Sequence, residues 1–98
     1  MARTLTVSRV SVRPDAEPDY LATVRELAEL AQDRGWHLWV FRSAGEPGLF
    51  LEFIESRSAE SHPALAERPP DERRLEARLR MLGTRDAGAS DLWEEVRN

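Results

Sequence analysis

Two histidines, one carboxylate and a set of rings are the side chains of this sequence with most to offer chemically. His62 precedes Leu65 and Ala66 by three and four residues, so on a helix it would share their inward stripe and stand at a cavity wall. A neutral imidazole there could accept a proton, donate one or bind iron. The plainer alternative is a histidine at a helix start that only satisfies backbone groups or neighbouring carboxylates. Glu52 lies in the run Leu49-Phe50-Leu51-Glu52-Phe53-Ile54, where an acid set among rings could work as a buried general base. If a cation such as Arg9 pairs with it, the two instead form an ion pair. Arg9 could equally anchor an anionic group of a ligand. His37 alternates with Trp39 and Phe41, which puts the three on one strand face. Trp39 and Trp93 could make a wall on which a flat molecule stacks. Packing at a subunit interface accounts for His37, Trp39 and Trp93 as well. His62 and Glu52 are therefore the candidate catalytic residues, and His37, Trp39, Arg9 and Trp93 the candidate ligand contacts.

Other chemistries lack their residues. There is no Cys, so a disulfide, a thiolate metal site and a thiol nucleophile are out of reach, and a reducing compartment fits. No metal site is expected. Gly45-Glu46-Pro47-Gly48 joins two strands rather than a strand and a helix, unlike a phosphate-binding loop. The serines and histidines show no local signature of an activated nucleophile. Residues 1–42 hold six Arg and six acids, while residues 43–98 hold eight Arg and twelve acids, for a net charge of -4. Phosphate backbones would be repelled, so nucleic acid is not an expected partner. Arg73, Arg74, Arg78 and Arg80 are interleaved with Asp71, Glu72 and Glu76 and read as a solvated helix face. Met1 to Val7 alternates polar and apolar residues instead of forming the apolar run of a signal peptide. No stretch approaches the roughly 20 apolar residues of a membrane span, so the expectation is a cytoplasmic protein with no membrane partner.

The candidate residues act only where the chain sets them. At 98 residues there is room for one domain, residues 1–98, and a chain this size buries only about two thirds of its unfolded surface. Burial against a partner would add to that. Thr4 to Arg13, with Leu5, Val7, Val10 and Val12, predicts a first strand. The change of apolar parity between Val7 and Val10 is read as both faces being covered, the alternative being a bulge near Ser8 and Arg9. After Pro14 to Asp19, the stripe Tyr20, Val24, Leu27, Ala28, Ala31 predicts a helix ended by Arg34-Gly35. Trp36–Phe41 and Leu49–Ile54 predict a hairpin with Phe41 facing Phe50, Trp39 facing Glu52 and His37 facing Ile54 on one side, and Val40 facing Leu51 on the other. Ser56 to Arg68 predicts a short helix, Asp71 to Leu82 a longer one with Leu75, Leu79 and Leu82 as its seam, Thr84 to Ser90 a link, and Asp91 to Val96 a last strand. The order is that of a ferredoxin-like βαββαβ fold of the α+β class, with both helices on one face of a four-stranded antiparallel sheet. His37, Trp39, Phe41, Phe50, Ile54 and Trp93 would lie on the other face, too apolar to meet water, so a second copy of the chain is expected to cover it.

Four segments carry a family likeness: Val10-Ser11-Val12-Arg13-Pro14, Tyr20-Leu21 followed by Glu26-Leu27, Gly35-Trp36, and Leu51-Glu52-Phe53-Ile54-Glu55-Ser56 followed by Ala59 and His62. In these the sequence resembles the dimeric α/β-barrel superfamily, in particular its antibiotic-biosynthesis-monooxygenase-like branch, over most of the chain. The resemblance implies a homodimer. It further implies a small apolar or aromatic ligand and the activity of a cofactor-independent oxygenase acting on polycyclic aromatic substrates inside the barrel. No cofactor is then needed, although some relatives bind or degrade haem, which here would fall to His62 or His37. Two positions depart from the pattern: Ile54 stands where many relatives carry Trp on the third strand, and the sole Asn is Asn98, so the Asn of an oxygenase-type site has no counterpart. The alternative expectation is a non-catalytic dimerisation module whose barrel is filled by its own side chains.

Overall fold

In the computed structural model of the chain, which describes residues 2–88 and 91–96, the elements run β1 (Thr4–Val12), α1 (Glu17–Asp33), β2 (Trp36–Arg42), β3 (Leu49–Ser56), α2 (Pro70–Leu82), β4 (Gly83–Arg85) and β5 (Trp93–Glu94). A 3-10 turn at Pro14–Ala16 leads into α1. The acids Glu17 and Asp19 occupy that helix's first turn, where free N–H groups favour negative charge. Gly35, at φ 84°, takes the left-handed conformation just past its end.

The sheet is antiparallel with order β2-β3-β1-β4, and β5 also pairs with β1. Both helices cover one face. Val10, Val12, Tyr20, Leu27, Ala31, Trp36, Leu38, Phe50, Leu75 and Leu79 form the buried core between them. This is the expected ferredoxin-like α+β layout, and no helix among the described residues is long and apolar enough to cross a membrane. The β1–β3 register runs without interruption from Thr4↔Ser56 to Ser11↔Leu49, so β1 carries no bulge at Ser8 and Arg9. Its inner face is Thr4, Thr6, Ser8, Val10 and Val12, all buried, and Leu5 and Val7 lie on the outer face.

Three expectations are corrected. The hairpin is offset by one residue: Phe41 pairs with Leu51, Trp39 with Phe53 and His37 with Glu55, whereas Glu52 pairs with Val40. Because side chains alternate, that offset moves all of β3 to the opposite face. Phe50, Glu52 and Ile54 therefore lie under the helices, and Leu51 and Phe53 replace them outside. The turn decides it, because Ser43 Oγ accepts from the N–H groups of Gly45 and Glu46, and Ser43 N–H donates to Leu49 O at 2.8 Å.

The second correction is at 57–69, where single turns replace the expected helix. Ser56 Oγ and Ser61 Oγ both donate to Ser58 O, and such local bonds compete with a helical ladder. Pro63 and the pair Pro69-Pro70 limit it further. The third is that Gly83 ends α2 as expected but passes directly into a strand: it pairs with Val12, and Thr84 and Arg85, expected as the start of a link, pair with Ser11 and Val10. The fourth strand position is thus filled in two pieces along β1, and of residues 91–96 only Trp93–Glu94 is strand.

Candidate functional site

The inner face of β1 is polar and short at Thr6 and Ser8, and the neighbouring segment 57–69 is not a helix that could press into it. Between this half of the sheet, α2 and the 62–68 turns lies a cavity of about 700 Å³. Leu27, Leu38, Ile54 and Leu79 supply apolar wall, and Glu52 and Arg85 a charged floor.

Glu52 is 4% exposed and fully partnered. The Arg85 guanidinium clasps it in a fork, Nε donating to Oε1 at 3.1 Å and Nη2 to Oε2 at 2.7 Å. Tyr20 Oη donates to Oε2 at 2.6 Å. Arg85 Nη1 is held in turn by Leu79 O at 3.3 Å, which ties the cluster to the end of α2. Burial, and next the adjacent Glu52 charge, push the Tyr20 hydroxyl far above its ordinary range, so it stays protonated and acts as a donor.

His62 is buried as well. Its Nδ1 accepts from Ala64 N–H at 3.0 Å, which leaves the ring proton on Nε2, and Nε2 donates to Ile54 O at 3.1 Å with Thr6 Oγ1 at 3.4 Å. Burial lowers its pKa, the Arg68 charge acts in the same direction and the Ile54 bond opposes both, so the ring is neutral. Both nitrogens are engaged, and the ring stands in the cavity wall beside Thr6 and Ile54.

The two candidate catalytic residues are thus brought to one cavity, and the four candidate ligand contacts are not. Arg9 points outward and is exposed, its backbone N–H meeting Asp86 Oδ1 at 3.3 Å. The cation at Glu52 is Arg85, because the register carries Glu52 to the inner face while Arg9 stays outside. His37 stacks flat on Trp39, ring centroids 5.4 Å apart and 3° between planes, and its Nδ1 lies 3.0 Å from Glu55 Oε1. Trp93 faces out opposite Leu5. Trp39 and Trp93 share the outer face but are separated by β3 and β1, so neither lines this cavity and they do not form one wall.

Sequence reasoning missed Tyr20, Arg85 and Arg68. Tyr20 counted only as a core position, although a buried phenol needs a hydrogen-bond partner and so points to one. Arg85 fell in a presumed link. Arg68 is largely buried over the Trp36 ring at 5.6 Å and paired with Glu72 and Glu76, and its Nε has no hydrogen-bond partner among the described residues. Among the described residues no group of three His, Cys, Asp or Glu is arranged to hold a metal ion.

Several solved structures share this architecture. A conserved protein of unknown function from Bacteroides thetaiotaomicron superposes with TM-score 0.77 at 14% identity, over 96% of either chain. A protein from Bordetella bronchiseptica described as an antibiotic biosynthesis monooxygenase gives 0.72 at 16%, over 100% of this chain and 99% of the other. A variant of SnoaB, a cofactor-independent oxygenase from Streptomyces nogalater, gives 0.73 at 14%, over 98% and 93%. The fold is that of the antibiotic-biosynthesis-monooxygenase-like proteins. At these identities the likeness is one of fold, and in this monooxygenase-like fold the chain keeps both helices, the split βαβ order and the covered inner face. No protein-family model matches the sequence, and no curated protein matches it.

Proposed function

We propose that the chain is a homodimer in which each subunit takes a small aromatic molecule into its own cavity and oxidises it without a cofactor. The observation that carries this reading is the open cavity of about 700 Å³ with an apolar wall and a buried acid, Glu52, on its floor. That volume lies within the usual span of ligand sites, roughly 300–1,000 Å³. The likeness in fold to SnoaB supports the class of chemistry.

Oxygenation without a cofactor needs a substrate that becomes an electron-rich anion. Glu52 takes a proton from an activated ring CH2 or an adjacent hydroxyl. Arg85, until then neutralised by Glu52, is released to pair with the substrate oxyanion, and the charge of the site is unchanged. The anion gives an electron to O2, the two radicals combine into a peroxide, and loss of water leaves a carbonyl, so CH2 and O2 become C=O and H2O. Tyr20 and Leu79 O hold the Glu52–Arg85 pair in place, and His62 fixes the wall. The complete pairing of Glu52 and His62 favours a second reading, a binding module without turnover.

Anthrone is a direct probe. One O2 consumed per anthrone by the metal-free protein, with Glu52→Gln still binding but inactive, is the expected result. Binding without oxygen uptake would select the second reading, and no binding at all would end both.

A further inference from the structure

The charge around the cavity runs against that of the whole chain. The chain carries -4, yet the charged side chains lining the cavity are four guanidiniums, Arg68, Arg73, Arg80 and Arg85, against two carboxylates, Glu52 and Glu76. Glu52 is taken up by Arg85. Glu76 is shared, bonded to Arg80 at 2.9 Å and to Arg68. Arg73 has no acidic partner among the described residues.

The surplus follows from how α2 sorts its charges. Its first-turn acids, Asp71 and Glu72, turn towards Arg34, whose guanidinium meets them at 2.8 and 2.7 Å. Asp71 is taken up there, and Glu72 is shared with Arg68 at 3.7 Å, so Arg73 is the lining guanidinium left without a carboxylate among the described residues. Arg73 and Arg80 are seven residues apart, two helical turns, and so project from the same side of α2. Both are exposed and both line the cavity, so they stand at its opening rather than in its depth. Guanidiniums beside a low-dielectric recess focus the field there and gather anions.

We infer that this cavity selects aromatic anions, with the ring on the apolar wall and a carboxylate held at the opening by Arg73 and Arg80. The inference rests on the small-molecule reading above and adds to it the class of ligand. Arg73 and Arg80 are then specificity residues, apart from the Glu52 floor where the ring would react.

Calorimetric titration of the full chain with 2-naphthoate, 2-naphthamide and 2-naphthylmethylammonium tests it. The carboxylate is expected to bind about tenfold or more tightly than the amide, a preference that shrinks at high salt, and the ammonium to bind weakest. The Arg73→Gln, Arg80→Gln double variant should bring naphthoate down to the affinity of the amide and leave the amide unchanged. Arg74→Gln removes the same charge from α2 away from the cavity and should leave the preference intact. Should the double variant not fold, Arg73→Gln alone should cut the preference severalfold. Equal binding of carboxylate and amide, or a preference that survives loss of Arg73 and Arg80, overturns the anion inference alone. Failure of all three ligands to bind overturns the small-molecule reading together with it.

Discussion

Glu52 shows how a single buried acid is made tolerable. Three donors from α1 and β4 converge on its two oxygens, which offsets the desolvation that a carboxylate suffers beneath two helices. Glu52→Ala strands a guanidinium and a phenol together, and the expected loss is about 3–5 kcal/mol of unfolding free energy in urea titrations, the range for breaking a buried ion pair from one side. Glu52→Gln keeps an acceptor for Tyr20 and is expected to lose less. His62 makes a separate prediction in pH. Its pKa in the folded chain lies below the ordinary 6.5, so the unfolded chain binds the proton more readily. The stability it contributes is complete above about pH 6.5 and is lost as the pH falls from there towards the folded pKa. The advantage of the native chain over His62→Gln should therefore shrink below pH 6.5, by at most about 1.4 kcal/mol per pH unit, in thermal unfolding followed across pH 7 to 5.

At the level of elements, the turn between β2 and β3 governs which side chains reach the site. Gly48 sits in it at φ +79°, and a Cβ there would come to 2.7 Å from Val12 O, the carbonyl of the residue whose N–H donates to Gly48 O. Gly48→Ala is expected to destabilise by about 1–3 kcal/mol, from left-handed strain and the close backbone approach together. Gly45→Ala, in the same turn but in open space with no positive φ, should change little. Denaturant midpoints of the two variants make the comparison. The junction at Gly83 works by a similar closeness, since a Cβ would lie 2.6 Å from Val10 Cγ1. The absent side chain lets α2 pass straight into β4 and brings Arg85 to Glu52.

On the scale of the molecule, the outer sheet face remains apolar in the single chain. Trp39, Phe41 and Trp93 are 48%, 60% and 60% exposed, and Leu51 and Phe53 join them through the observed register. Burying such a face against a second copy is the proposed use of it, with His37 and Glu55 inside the contact. Sedimentation at micromolar concentration should give twice the chain mass. Trp39→Glu, which places a charge at the centre of that face, should give one chain mass without loss of the inner cavity.

The sequence alone determined the α+β class, the split βαβ order, the end of α1 at Gly35 and of α2 at Gly83, and the outward rank of His37, Trp39 and Phe41. All of these follow from local periodicity and from residues whose backbone preferences act within a few positions. It also singled out His62 and Glu52, because a ring nitrogen or an acid among apolar neighbours is conspicuous in one dimension. Only the tertiary structure decided which face Glu52 occupies, since a shift of one residue in a hairpin inverts a whole strand and the turn that sets it contains no marker of its own register. The same holds for its partner: Arg85 is thirty-three residues from Glu52, and nothing in a linear chain says which of fourteen cations will close on a given acid. The cavity itself belongs to the fold, for it is the space left where short side chains on β1 meet a segment that cannot coil.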